Sequence, residues 1–166
     1  MNFKISIGFD LHKLVPGRKL KLCGIEIPFK KGLLGHSDGD VGLHALIDAM
    51  LSASGLPDIG TIFPDKDPQY KDIDSLKLLE KTLKLVEERG FKVSQVDLTF
   101  ICDEPKLSPF YEKMKNLLSE KLKIDPLNVG IKAKTTEGLM ESLQIEAIAC
   151  FCLVVLTKQK IKAKIP

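Results

Sequence analysis

Apolar and polar residues alternate over residues 3–11 (FKISIGFDL), the two-residue period of a strand that runs into Asp10 and His12. Residues 18–29 (RKLKLCGIEIPF) predict two short strands around Cys23 and Gly24, a hairpin. Lys31 to Gly35 reads as a loop by its glycines. Apolar periodicity then resumes from Val41 to about Ser54, with Val41, Ala45, Asp48 and Ala49 on one face, which predicts a helix. Ser37 or Asp38 is the expected N-cap, with Asp40 in the first turn. Residues 57–70 (PDIGTIFPDKDPQY) hold three prolines and a cluster of aspartates, so an exposed loop is expected. A second helix is predicted from about Asp74 to Arg89, with Leu76, Leu79, Leu83 and Val86 as its stripe and Gly90 as its stop. Residues 91–102 read as a strand, broken by Asp103 to Lys106. A third helix opens with Ser108 as N-cap and Pro109 at the first helical position, continues through Tyr111, Met114, Leu118 and Leu122, and ends before Asp125 and Pro126. A short strand over residues 128–134 leads through Thr135, Thr136 and Glu137 into a brief helix. Residues 146–157 (EAIACFCLVVLT) form a nearly unbroken apolar strand, which predicts burial on both faces.

Strands and helices interleave in this order, so the chain is expected to be α/β or α+β, with a mixed sheet of about four long strands, helices layered on one face and a small N-terminal hairpin. One sheet face is left to cover, which suggests self-association. No internal repeat or domain-scale linker interrupts residues 1–157, which read as one domain. Residues 158–166 form a tail with four lysines.

Composition narrows the function classes. The 166 residues are 44% hydrophobic and 28% charged, as in ordinary globular proteins. No apolar run approaches the roughly 20 residues that span a bilayer, so no membrane role is expected. Met1 leads directly into strand-like sequence, without the features of a signal peptide, and a cytoplasmic location is expected. Net charge is +3, but Trp is absent and no aromatic residues interleave with basic ones, so nucleic-acid binding is not expected. Cys23, Cys102, Cys150 and Cys152 lie in apolar strand-like contexts and read as reduced, buried thiols.

The three histidines, His12, His36 and His44, all fall in the first 44 residues, beside Asp10, Asp38, Asp40 and Asp48. Asp10 and His12 are two apart on a strand, so their side chains point the same way. His44, on the helix after the glycine-rich loop, is the candidate third ligand. Asp40 and Asp48 lie four residues before and after it, and either can accept the second imidazole N–H. Two histidines and one carboxylate with a fourth position open match catalytic zinc; the ligand set alone also admits iron or manganese. A second group is Lys132 to Glu137, where threonine hydroxyls and helix N–H groups can meet phosphate oxygens and Glu137 can hold a hard cation such as Mg²⁺. The loop from Cys102 to Leu107, fixed by Pro105, can present backbone groups to a base. Neither a P-loop nor a dinucleotide-binding glycine motif is present.

The segments GFDLH (Gly8–His12), GHSDGDVGLH (Gly35–His44), DIGTIFPD (Asp58–Asp65) and KTTE (Lys134–Glu137) resemble the 2-C-methyl-D-erythritol 2,4-cyclodiphosphate synthases over nearly the whole chain. The resemblance implies a ferredoxin-like subunit in a homotrimer with interfacial active sites. It implies a lyase of non-mevalonate isoprenoid biosynthesis, which cyclises 4-diphosphocytidyl-2-C-methyl-D-erythritol 2-phosphate and releases CMP. Asp10, His12 and His44 would bind Zn²⁺ or another divalent cation, with Asp10 and His12 also facing the substrate. His36 and Ser37 would contact the methylerythritol phosphate, and His36 and Thr135 would stabilise the transition state. Glu137 would bind Mg²⁺ or Mn²⁺ at the diphosphate, beside Lys134 and Thr136. Asp58, Ile59 and Gly60 would hold the ribose or sugar alcohol, and Phe63, Pro64, Asp65, Lys66 and Asp67 would form a mobile substrate loop. Cys102, Asp103, Glu104, Pro105, Lys106, Leu107 and Ser108 would enclose the cytosine. The sequence departs from the family pattern at Gln144, where arginine is common, and at Lys134, where threonine is usual. A phosphohydrolase with water as attacker and a non-catalytic nucleotide-binding module are the alternatives.

Overall fold

A computed structural model describes residues 3–159; residues 160–166 of the basic tail lie outside the described residues. The four long strands are β1 (Phe3–Pro16), β5 (Phe91–Ile101), β6 (Val129–Lys134) and β7 (Ala147–Lys158), and a short β4 (Lys31–Leu33) joins them. The sheet is therefore five-stranded rather than four-stranded, in the order β4-β1-β7-β5-β6. Only β5 and β6 are parallel; the other pairs are antiparallel. The segment read as a glycine loop became β4 because Gly32 lets the strand lie against Lys19: a Cβ there would sit 2.2 Å from the Lys19 carbonyl oxygen. The predicted hairpin is present as β2 (Leu20–Leu22) and β3 (Ile25–Ile27), a separate two-stranded sheet.

Three long helices, α1 (Val41–Ala53), α3 (Ser75–Glu88) and α4 (Tyr111–Leu122), cover one face. The innermost, α1, is buried along nearly its whole surface, as a helix held between a sheet and other elements must be apolar all round. Its approach to β1 is close. A Cβ on Gly8 would lie 2.0 Å from the Ala45 carbonyl oxygen and 2.7 Å from the Ala49 nitrogen, so only glycine fits. Gly42 on α1 is confined less tightly, by the side chains of Phe100 of β5 and Cys23.

Several local expectations change. The N-cap of α1 is Asp40, whose carboxylate accepts from the Leu43 N–H; neither Ser37 nor Asp38 takes that place. Ser108 does not cap α4 but opens a 3₁₀ turn, Ser108–Phe110, that leads into it. The loop over residues 57–70 contains a short helix, α2 (Ile59–Ile62), and a 3₁₀ turn, Pro68–Tyr70. The brief helix after Glu137 is α5 (Leu139–Ser142). The largest change is in β7, which is buried on one face only: Cys150, Cys152, Val154 and Leu156 point into the core, while Phe151 and Leu153 are exposed. All four cysteines are free and buried, as expected. No helix among the described residues is long and apolar enough to cross a membrane.

Candidate active site

β1 alternates faces, so Ser6, Gly8, Asp10 and His12 look toward α1 while Ile7, Phe9 and Leu11 look outward. Because α1 lies against Gly8, the helix brings His44 over Asp10. Asp10 Oδ2 lies 2.9 Å from His12 Nε2 and 2.9 Å from His44 Nδ1, and the two ring nitrogens are 3.2 Å apart. Three donors on one tetrahedral ion with bonds of about 2 Å are separated by about 3.3 Å. The donor set and its spacing thus fit a divalent metal, as the sequence pattern predicted.

Each ring is aimed by its other nitrogen. His12 Nδ1–H donates to the Leu34 carbonyl at 2.7 Å, which leaves Nε2 as the nitrogen that can offer a lone pair to an ion at the trio. His44 Nε2 lies 2.9 Å from Ser37 Oγ and 3.1 Å from Ser75 Oγ. Neither Asp40 nor Asp48 orients His44, contrary to both sequence alternatives. Asp40 is fully buried and accepts backbone N–H bonds from Cys23, Gly24 and Leu43, tying the hairpin turn to the start of α1. Asp48 accepts from the Ile59 N–H.

The three groups are electrostatically coupled. Burial pushes the Asp10 carboxyl up, but the His12 and His44 hydrogen bonds and charges outweigh it and hold the group well below the usual carboxylate range. Burial works against the charged form of His12, yet Asp10 raises its pKa above the ordinary histidine value.

A cavity of about 200 Å³ opens over this trio, lined also by His36, Ser37, Ile59, Gly60, Phe63, Asp65 and Tyr70. Phe63 and Tyr70 meet edge to face, with ring centroids 5.5 Å apart. Asp58 is exposed and caps α2 through the Thr61 N–H; that bond lowers its pKa. Asp67 caps the following 3₁₀ turn, and Pro64 and Lys66 are exposed.

The other predicted residues gather elsewhere. Asp103, Glu104, Thr135 and Glu137 line a larger cavity of about 610 Å³ with Leu14, Phe29 and Met140. Asp103 fixes its floor, accepting from the Thr136 N–H at 2.7 Å and the Thr136 hydroxyl at 2.6 Å. Thr135 Oγ1 donates to Glu137 Oε1 at 2.7 Å. The Lys134 carbonyl accepts from the Cys102 N–H. The buried Cys102 thiol donates to the Glu104 carbonyl, and burial, with Asp103 and Glu104 nearby, pushes it up to about 12. Pro105 and Ser108 are partly or fully exposed, Lys106 is exposed, and Leu107 is buried in the core. Among the described residues, none lines both cavities.

Sequence reasoning missed Leu34, Ser75 and Tyr70. Leu34 contributes only a carbonyl, which carries no side-chain signal. Ser75 is 31 residues from His44, and its position directly after an N-cap gave no hint of that contact.

Comparison with known proteins agrees with this geometry. The YgbB family model matches residues 3–157. The 2-C-methyl-D-erythritol 2,4-cyclodiphosphate synthase of Caldicellulosiruptor bescii is 51% identical over 154 residues, 93% of this chain and 98% of that protein. The enzyme of the same name from Clostridium acetobutylicum is 52% identical over 136 residues, 82% and 88% of the two chains. A solved structure of 2C-methyl-D-erythritol-2,4-cyclodiphosphate synthase in its CDP-bound form superposes with a TM-score of 0.86 at 41% identity, covering 93% of this chain and all of that one. A metal-ready trio on β1 and α1, a matching family model and relatives of nearly equal length carry one conclusion: this chain belongs to the YgbB family, the family of the 2-C-methyl-D-erythritol 2,4-cyclodiphosphate synthases.

Proposed function

We propose that this chain converts 4-diphosphocytidyl-2-C-methyl-D-erythritol 2-phosphate to 2-C-methyl-D-erythritol 2,4-cyclodiphosphate and CMP. The observation that carries this reading is the convergence of Asp10, His12 and His44 beneath an open cavity. An oxygen of the 2-phosphate attacks the β-phosphorus. A new P–O bond forms there, and the bond from that phosphorus to the bridging oxygen breaks, leaving the electron pair on CMP. Both reactants belong to one molecule, so no covalent nucleophile is needed and the work is positioning and charge stabilisation. When bound, Zn²⁺ at Asp10, His12 and His44 and Mg²⁺ or Mn²⁺ at Glu137 supply Lewis-acid neutralisation of the diphosphate.

The protein's own groups do the rest. His36 and Ser37 sit beside the trio, where they can hold the methylerythritol phosphate; His36 and Thr135 are the candidates for stabilising the transition state. Asp58, Ile59 and Gly60 hold the ribose or sugar alcohol, and Phe63 to Asp67 close over it. Lys134, Thr136 and the segment Cys102 to Ser108 enclose the cytidine end. Residues 1–157 act as the catalytic unit, with the four long strands and their helices read as a ferredoxin-like subunit in the cytoplasm.

We also propose that the working form is a homotrimer. Two features support this: the two half-sites line separate cavities within one copy, and the outer sheet face is apolar over β1 and β7. A neighbouring copy would bring one half-site against the other.

Incubating the purified protein with the substrate and divalent metal, and following phosphorus by NMR, tests the reading. A cyclic diphosphate with CMP is expected, and His44→Ala should remove both zinc and turnover while leaving the protein folded. A linear product would favour water as the attacker and make the chain a phosphohydrolase. Binding without turnover would leave a nucleotide-binding module.

A further inference from the structure

We infer that Ser75, held by Asp38 and Lys21, is a positioning residue that fixes the tautomer of His44 and so offers Nδ1 as the metal-binding atom. The inference rests on the metal site proposed above.

The direction of each hydrogen bond follows from donor and acceptor capacity. An ionised carboxylate can only accept. Asp38 Oδ1 lies 2.5 Å from Ser75 Oγ, so the serine must give its single hydroxyl proton to Asp38. Asp38 Oδ2 also accepts from the Ser75 N–H at 3.2 Å and from Lys21 Nζ at 3.4 Å. Lys21 reaches Asp74 Oδ2 as well, at 3.1 Å, so the ammonium bridges the two carboxylates. With its proton committed, Ser75 Oγ can only accept from its other neighbours, His44 Nε2 at 3.1 Å and the Ser37 hydroxyl at 3.4 Å. That places a ring proton on Nε2. With an ion at the trio, the lone pair is then on Nδ1, the atom 2.9 Å from Asp10 and 3.2 Å from His12 Nε2.

Ser37 cannot set this direction. Its hydroxyl lies 2.9 Å from His44 Nε2 and accepts from the Gly39 N–H, and no carboxylate fixes its proton, so it can donate or accept. Ser75 is fully buried at the start of α3, where water does not compete for the bond. The chain Lys21–Asp38–Ser75–His44 joins the hairpin, the glycine-rich loop, α3 and α1 at one imidazole. The Leu34 carbonyl does the same for His12, so both rings are oriented and the ion meets two prepared lone pairs.

The test is zinc affinity, measured by chelator competition on the full chain, with long-range ¹H–¹⁵N spectra of the zinc-loaded protein. Ser75→Ala should weaken zinc about 10- to 100-fold, the usual cost of losing a partner behind a metal-bound histidine. Asp38→Asn should also weaken it, because an amide can donate to Ser75 and turn the serine proton toward His44. Ser75→Thr keeps the hydroxyl and should recover most of the affinity. The parent spectrum should show the His44 proton on Nε2. Thermal unfolding of the metal-free forms separates this from a packing role: packing loss lowers stability with and without zinc, whereas a positioning loss falls mainly on the increment that zinc adds. Equal zinc affinity in the parent, Ser75→Ala and Asp38→Asn, or zinc held through His44 Nε2, would overturn the inference and leave the metal reading intact. A parent protein that takes up no zinc would remove both.

Discussion

Asp10 Oδ2 is the point on which two imidazoles converge, and the carboxylate supplies the only negative charge among the three candidate ligands. Asp10→Asn keeps the shape and removes that charge. It should weaken zinc by more than the about 10- to 100-fold expected for a residue behind the ligands, read as metal content after dialysis. Asp40 presents the opposite case. It lies four residues from His44 but touches no ligand, and its fully buried carboxylate satisfies three backbone N–H groups. Orphaning a buried donor costs about 1–3 kcal/mol, so Asp40→Ala should lose at least about 3 kcal/mol in urea unfolding, with the ligand set itself intact. Sequence spacing misplaced Asp40 beside His44. A helix places residues at i and i+4 on one face, but Asp40 is the cap, whose backbone has not yet entered the helix and whose side chain turns back to the N–H groups of the first turn.

Elements set the site through two contacts, one close and one charged. Gly8 lets α1 lie directly on β1, and a methyl group there would meet backbone rather than a movable side chain. Gly8→Ala should therefore destabilise by about 1–3 kcal/mol, as overpacking does. It should also weaken zinc, because the helix carrying His44 must move from the strand carrying Asp10. Paired measurement of unfolding and metal affinity checks this; a loss of stability with unchanged affinity would show that α1 does not set the ligand distance. At the start of α3, burial raises the Asp74 pKa, but the Leu76 N–H and Lys21 outweigh it and lower the group overall. A lowered carboxyl stabilises the fold fully above its unfolded value, about 3.9, and loses that contribution as pH falls through the lower folded value. Asp74→Ala should cost about 1 kcal/mol at neutral pH, and the gap from the parent should close as the pH is taken below about 4. The elements were largely legible because their periods of two and 3.6 are written in the sequence. The strand β4 was not, since three residues containing a glycine carry no period. Nor was the Ser75 contact, which depends on where α3 settles against α1.

The whole molecule turns on the outer face of the sheet. The unbroken apolar run of β7 predicts burial on both sides, yet Phe151 and Leu153 are exposed, next to Ile5, Ile7, Phe9 and Leu11 of β1. Ile7 keeps 64% of its surface accessible, and the Phe9 and Phe151 rings meet at a tilt with centroids 4.7 Å apart. Toward β5 and β6 the same face turns polar, with Gln95, Asp97, Thr99, Lys132 and Lys134. A contiguous apolar patch of this kind marks a contact surface; the sequence pattern was wrong that one copy buries both faces of β7, because an apolar run does not distinguish cover within a chain from cover between chains. In the proposed homotrimer a second copy supplies the cover. The trio points to the opposite side, beneath α1, and should not depend on assembly, whereas joining the two half-sites should. Ile7→Glu with Phe151→Glu would set charges into that contact. Sedimentation should then show a single chain that still retains zinc but has lost turnover with the diphosphate substrate. A double variant that remains assembled and active would place the contact elsewhere, and one that releases zinc would tie the trio itself to assembly, contrary to its position on the inner face.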